Sequence, residues 1–229
     1  MNRPVVRAAL LLLFDCLLLA ISFVAGVKPG GNAPGAVLAA KRLLAPPECP
    51  TIGIIPLGKV TARDIADVRR NIEAFFHADV VLLEADTLPR FAYYKPRGRY
   101  RADSLLAYLV GKKLAPDKIV ALTYSDISVT KGEHRDWGVV GLGELGGQTC
   151  VVSTWRIREG RDPDQRRERL LRSVRHELGH TFGLDHCPDR TCNMTDARGA
   201  PWTRDNGDGT FCRACMSKLT ESGAICPSP

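Results

Sequence analysis

From residue 51 to residue 154 the apolar positions follow two rhythms that take turns along the chain. Residues 51–57, 79–84 and 118–124 are short runs dense in Ile, Val and Leu, with the length and composition of buried strands. Between them, residues 61–77 and 102–113 carry apolar positions at helical spacing, the second helix with its N-cap at Arg101 or Asp103. Strands that alternate with helices need crossover connections, so the pattern predicts an α/β domain on a mixed, mostly parallel twisted sheet. Two more strands, 137–142 and 149–154, flank a glycine-rich link over 141–147 that lacks the GxGxxG spacing of a phosphate loop.

The last long helix opens at Asp162, a good N-cap, with Pro163 in its first turn and Gln165 placed for a capping box. Along it Leu170, Leu171, Val174, Leu178 and Phe182 gather on one side, and at 100° per residue His176 and His180 fall nearly opposite. One face therefore serves a core while the other turns toward a cleft. The arginines at 166, 167, 169, 172 and 175 read mostly as a solvated face.

His176 and His180 are four residues apart, so both rings leave one face of the helix and can hold a single ion. Glu177 points about 100° further round, too far to join the clamp and well placed to hydrogen-bond a water on the ion, the place of a general base. Gly183 can take the left-handed conformation that ends a helix, and His186 then comes back as a third ligand. Three neutral imidazoles leave one tetrahedral position of zinc open, which is what separates a catalytic site from a closed structural one.

The sequence His176-Glu177-x-x-His180-x-x-Gly183-x-x-His186 resembles the metzincin metallopeptidases. The continuation through Cys187, Cys192, Met194, Cys212 and Cys215 resembles one branch of them, the archaemetzincins, as do residues 126–131 and 137–147; the resemblance covers about residues 51 to 215. It implies a zincin-like fold, a zinc-dependent hydrolase of peptide bonds with Glu177 as base, and a Met-turn in which Met194 forms an apolar floor under the histidines. It further implies that an edge strand beside the active helix binds the substrate backbone by strand addition, for which 137–142 is the candidate. The glycines of 141–147 serve either a turn or substrate contact.

Cys187, Cys192, Cys212 and Cys215 could form two disulfides or a closed four-thiolate zinc site. The Cys212-x-x-Cys215 knuckle and the attachment of Cys187 to His186 favour zinc, giving two zinc ions per chain, one catalytic and one structural, the latter in a small C-terminal element over 187–215. Cys49, Cys150 and Cys226 are left over outside the apolar start, an odd number that permits one bridge and one free thiol.

Arg3 and Arg7 precede an apolar stretch, 8–27, broken only by Asp15, which has the layout of a signal peptide or N-terminal anchor. Export or membrane attachment through 8–27 is the expectation, with a cytoplasmic protein as the alternative. Residues 28–50, rich in Pro, Gly and Ala, read as a flexible linker to a catalytic domain over 51–229. The net charge is +7 over 229 residues, of which the first 27 hold +1, so the rest is basic by +6. Such a balance suits a solvated face more than a dedicated polyanion site. Residues 90–101 interleave Phe91, Tyr93, Tyr94 and Tyr100 with Arg97, Arg99 and Arg101; with no nucleic-acid-binding module around them they read as a loop packing its rings, and no nucleic-acid partner is expected. A monomer acting on peptides is the leading reading. The competing one is a non-catalytic zinc-binding module engaging protein or nucleic acid, against which stands Glu177, since a structural zinc needs no base.

Overall fold

The computed structural model describes residues 49–158, 162–196 and 209–226. The segment expected to be a signal or anchor (1–27), and all of the expected linker except Cys49 and Pro50, lie outside the described residues. Among the described residues no helix is long and apolar enough to cross a membrane.

The first apolar run forms β1 (Thr51–Leu57). After it come helix α1 (Ala62–Phe76), β2 (Asp79–Leu82), β3 (Tyr93–Tyr94), β4 (Arg99–Arg101), α2 (Ala102–Gly111), β5 (Lys118–Thr123), β6 (Ile127–Lys131), β7 (His134–Val139), β8 (Gly141–Gly143) and β9 (Thr149–Ser153). Two further helices follow, α3 (Pro163–Thr181) and α4 (Arg213–Glu221). The larger sheet has the order β2-β1-β5-β9-β8, its first four strands parallel and β8 antiparallel to β9 at the edge. A smaller sheet runs β3-β4-β6-β7.

Helices cover both faces of the larger sheet, which is why its central strands β1, β5 and β9 are apolar runs without an exposed side. Ile52, Ile54, Val120, Leu122 and Val152 point to one side, into a core shared with Val68, Ile72 and Phe76 of α1 and Leu170, Val174 and Leu178 of α3. Their neighbours Ile55, Leu57, Ile119, Ala121 and Val151 point to the other, onto Leu105 and Leu109 of α2. Each of these large side chains contributes roughly 1.5–3 kcal/mol when fully withdrawn from water. Helix α1 is capped at both ends as its sequence allows: the Thr61 hydroxyl accepts from the Asp64 amide, and His77 ends the helix in the left-handed region at φ 51°.

The structure departs from the sequence pattern in three places. Residues 137–142 are two strands rather than one: the chain leaves the smaller sheet after Val139 and joins the larger at Gly141, so that Val139 pairs with Ile127 and Gly141 with Val152. Residues 90–101 are more than a packing loop, since Tyr93–Tyr94 pairs with Arg99–Arg101 and the latter runs parallel to β6. Strand β6 and helix α4 have no counterpart in the pattern; both are short, and α4 has nine residues, too few for a period to stand out.

Candidate metal centre and cleft

Helix α3 begins where its sequence places it, with the Asp162 carboxylate accepting from the amides of Asp164 and Gln165 at 2.9 and 3.1 Å. It ends in a Schellman motif. Gly183, at φ 89°, donates to the His180 carbonyl, and Leu184 donates to Gly179, both at 2.9 Å. A residue with a Cβ would be strained there, and the turn is what brings His186 back over the helix.

The ligand-bearing atoms of His176, His180 and His186 lie within 4.8 Å of one another. Nε2 of His176 and Nε2 of His180 are 3.2 Å apart. Two nitrogens on one tetrahedral zinc at 2.0–2.1 Å would be separated by about 3.3 Å, so the pair already has the spacing the ion requires. The other ring nitrogens face main-chain carbonyls: His176 Nδ1 lies 2.7 Å from Asn193 O and His180 Nδ1 2.7 Å from Leu184 O. With Nδ1–H donating to a carbonyl, each Nε2 is left with its lone pair for a metal. His176 is buried and His186 exposed, so the cluster has an inner and an outer side.

Met194 is fully buried and packed against the helix where Gly179 has no side chain; a Cβ there would sit 2.6 Å from the methionine sulfur. The same segment is tied back to the site through the Cys187 amide, which donates to Met194 O at 2.8 Å, and through Asn193 Nδ2, which donates to Arg172 O.

Four sulfurs form a second cluster. Cys187, Cys192, Cys212 and Cys215 present Sγ atoms within 4.8 Å of one another, with Cys187 and Cys212 at 3.7 Å. Tetrahedral zinc at 2.3 Å from each thiolate would separate the sulfurs by about 3.8 Å. None of the four is bridged; the disulfide is instead Cys49–Cys226, across 177 residues, and Cys150 is the buried free thiol. Burial raises Cys215 and Cys192, while the Cys215 amide at the start of α4 lowers Cys212. Such a group of thiols is what a divalent ion stabilises as thiolates.

The histidines and the buried Glu177 open onto a cleft of about 790 Å³, whose near wall is the β7–β8 segment. Within the glycine-rich link Gly146 takes the turn, at φ 67°, while the glycines of β8 let the edge strand lie directly on α3. A Cβ on Gly143 would collide with the Glu177 carbonyl, and one on Gly141 would come within 2.6 Å of the Glu177 side chain. Packing of α1 and of the segment at Gly209 onto other faces of α3 corrects the reading of the arginines. Arg169 and Arg175 are buried, Arg166 and Arg172 are half-buried, and only Arg167 is exposed, reaching the Asp67 carboxylate at 3.0 Å; Arg175 lies over the Phe75 ring at 5.4 Å. Arg97, Arg99, Lys131 and Arg156 also line the cleft, as do Asp185 and Asp196. Arg97 and Arg99 belong to the basic and aromatic stretch 90–101, but no spacing in the sequence joins them to Lys131, Arg156, Asp185 or Asp196, which come from separate strands and loops. The remaining histidines hold no part of the site: His77 ends α1, and the His134 ring lies against Trp137.

Comparison with known proteins gives a consistent result. Residues 73–221 match the model of peptidase family M54. The archaemetzincin of Methanopyrus kandleri is 39% identical over 132 residues, which cover 58% of this chain and 72% of the relative. That of Archaeoglobus fulgidus is 31% identical over 169 residues, 73% of this chain and 98% of the relative. The crystal structure of the M. kandleri protein superposes with a TM-score of 0.67 at 32% identity, covering 76% of this chain and 95% of that one. The A. fulgidus structure, a complex with malonate, gives 0.63 at 31% identity, covering 73% and 99%.

Proposed function

The chain belongs to peptidase family M54, the archaemetzincins, and is a zinc metallopeptidase acting on peptides; from that premise we propose that His176, His180 and His186 hold the catalytic zinc and that Glu177 is the general base. The observation that carries this is the convergence of two Nε2 atoms at 3.2 Å with both Nδ1 atoms facing carbonyls, directly beside a buried carboxylate. Zinc bound there supplies a Lewis acid that acidifies water and polarises a peptide carbonyl. Glu177 accepts the proton of the attacking water and delivers it to the leaving amine nitrogen. His176 is held in orientation by Asn193 O and His180 by Leu184 O, so neither ring has to reorganise as charge develops. Met194 fills the space under the rings and excludes water from that side. The outer edge of β8 supplies the strand along which a substrate backbone would lie.

We assign a second, structural zinc to Cys187, Cys192, Cys212 and Cys215, on the strength of the convergence of their sulfurs at the spacing a tetrahedral ion needs. The catalytic domain in this reading is 51–229, monomeric and carried outside the cytoplasm by the segment 1–27 through the linker 28–50. The Cys49–Cys226 disulfide supports that placement, since such bridges persist in oxidising compartments.

The test is zinc analysis of the full chain followed by cleavage of a mixed peptide library with and without chelator. Two zinc ions per chain and chelator-sensitive cleavage restored by zinc are expected; metal-replete protein that cleaves nothing would sink the catalytic assignment. Fractionation that finds the full-length chain free in the cytoplasm would overturn the placement.

A further inference from the structure

The cleft continues past Glu177 onto the smaller sheet, where positive charge exceeds what the fold consumes. Arg99 lies deepest, donating to Asp126 at 2.6 Å and to Asp136 at 2.8 Å. Arg156 reaches Asp126 from the other side, its Nε 2.9 Å from Oδ1 and its Nη2 3.0 Å from Oδ2. Its guanidinium lies along β7 at Gly138, where any Cβ would collide with it. Two guanidiniums and two carboxylates balance. Two cations remain. Arg97 has a side chain 61% exposed and its Nε 3.6 Å from Asp136, which Arg99 already engages. Lys131 is exposed, its ammonium over the Trp137 ring at 5.7 Å. Arg97, Arg99, Lys131 and Arg156 all line the cleft that holds the histidines.

The distance to the reaction follows from the backbone. Gly141 lies against the Glu177 side chain and Gly138 against Arg156. Three residue steps of chain separate them, no more than about 11 Å. An extended substrate along this wall rises by the same step per residue, so Arg156 faces its second or third residue from the bond cleaved, and Lys131 and Arg97, held at Trp137 and Asp136 one and two residues further along, line the same cleft. Asp185 and Asp196 line the same cleft on the segments that carry His186 and Met194, so opposite charges are divided between its two sides and the preference belongs to one side alone.

We propose that this wall is a carboxylate-binding subsite, and that the enzyme selects peptides with a carboxylate two or three residues from the scissile bond, either an acidic side chain or the substrate's own C-terminus. The proposal rests on the peptidase reading above and deepens it. A guanidinium offers two parallel donors to a carboxylate, and an ammonium a movable point charge beside it; together they reject a lysine at the same place.

The experiment uses the zinc-loaded full chain and peptides blocked at both ends, with Glu, Gln or Lys at the second and third positions on either side of the cleaved bond. A parallel set has free C-termini. Cleavage of Glu over Gln peptides by about tenfold in kcat/KM at one position is expected, the order for a charge-assisted contact at a part-exposed site. Lys peptides should fall below Gln, and 0.5 M salt should shrink the difference. In the double variant Arg97→Gln, Lys131→Gln the Glu-to-Gln ratio should fall at least fivefold. A preference seen only in the free-ended set, for acid over amide, establishes the terminal form of the same subsite. Equal cleavage of Glu, Gln and Lys peptides in both sets, or a ratio unchanged in the double variant, overturns the proposal while leaving the peptidase reading intact. If no peptide is cleaved, that reading fails; the fluorescence anisotropy of labelled Glu and Gln peptides on the zinc-loaded chain still decides the subsite, equal binding overturning it.

Discussion

The histidine cluster and the cysteine cluster share one peptide bond, between His186 and Cys187, and are built on opposite plans. Two of the three histidines come from a single turn of α3, and the third follows six residues later through a Schellman turn. His176 and His180 are oriented by the main-chain carbonyls of Asn193 and Leu184. The cysteines are gathered from 187 to 215, out of two loops and the start of α4, and chiefly touch one another and nearby amides. Where ligands are local, helix geometry shapes the metal site. Where they are dispersed, as in the four-cysteine site proposed above, an ion would have to hold the chain together. The first plan leaves an open side facing a cleft and the second leaves none, with Cys192 and Cys215 buried.

Three measurements can break or sharpen this contrast. The largest effect is expected at Glu177, which belongs to the open side without being a ligand. Glu177→Gln should lower kcat by about 10³-fold, within the range of general acid–base catalysis, with zinc content unchanged by elemental analysis. Near-normal turnover in that metal-replete variant would remove it as the base.

Next in size is the coupling between the clusters. Cys187 adjoins His186, and Cys192 stands two residues before Met194, its sulfur accepting from the Met194 amide at 3.5 Å. The double change Cys212→Ser, Cys215→Ser should remove one zinc per chain and lower activity by roughly tenfold, the scale of outer support to a metal ligand. A variant that loses one zinc and keeps full activity would show the two plans to be independent.

The smallest effect is expected outside both clusters, at Asp86. Its carboxyl is held below the usual range chiefly by the Lys112 ammonium and the Tyr108 hydroxyl, which donates to it at 2.6 Å. A depressed carboxyl stabilises the fold above its ordinary value, near 3.9, and that contribution is lost as pH falls through the lower folded value. Asp86→Asn should therefore cost less than about 1 kcal/mol at neutral pH, and the difference should close below about pH 4 in urea titrations. A larger loss, or one that persists in acid, would mark a general fragility of the fold and blunt the contrast between its metal sites.

What the sequence determined by itself is local. Strand β1, helix α1 and strands β5 and β9 come from side-chain periods that need no partner to be recognised. The histidine site belongs with them, because an i, i+4 pair on a capped helix and a glycine that turns the chain set its geometry within eleven residues. The sorting of cysteines was partly legible: the Cys212-x-x-Cys215 knuckle announced a thiolate site, but the pairing of Cys49 with Cys226 across 177 residues announced nothing. Tertiary structure alone decided where 137–142 would divide. Gly141 and Gly143 can lie on α3 only once α3 is docked on the sheet, and that contact sends β7 and β8 to different sheets. It decided the arginines too, since Arg169 and Arg175 face solvent on an isolated helix and lose it when other segments close over α3. The cationic wall is the extreme case. Arg97 and Arg99, Lys131, and Arg156 come from three places in the chain, and only the packing of the smaller sheet against the cleft gives them a common address, because charge acts through distance in space and carries no period along a sequence.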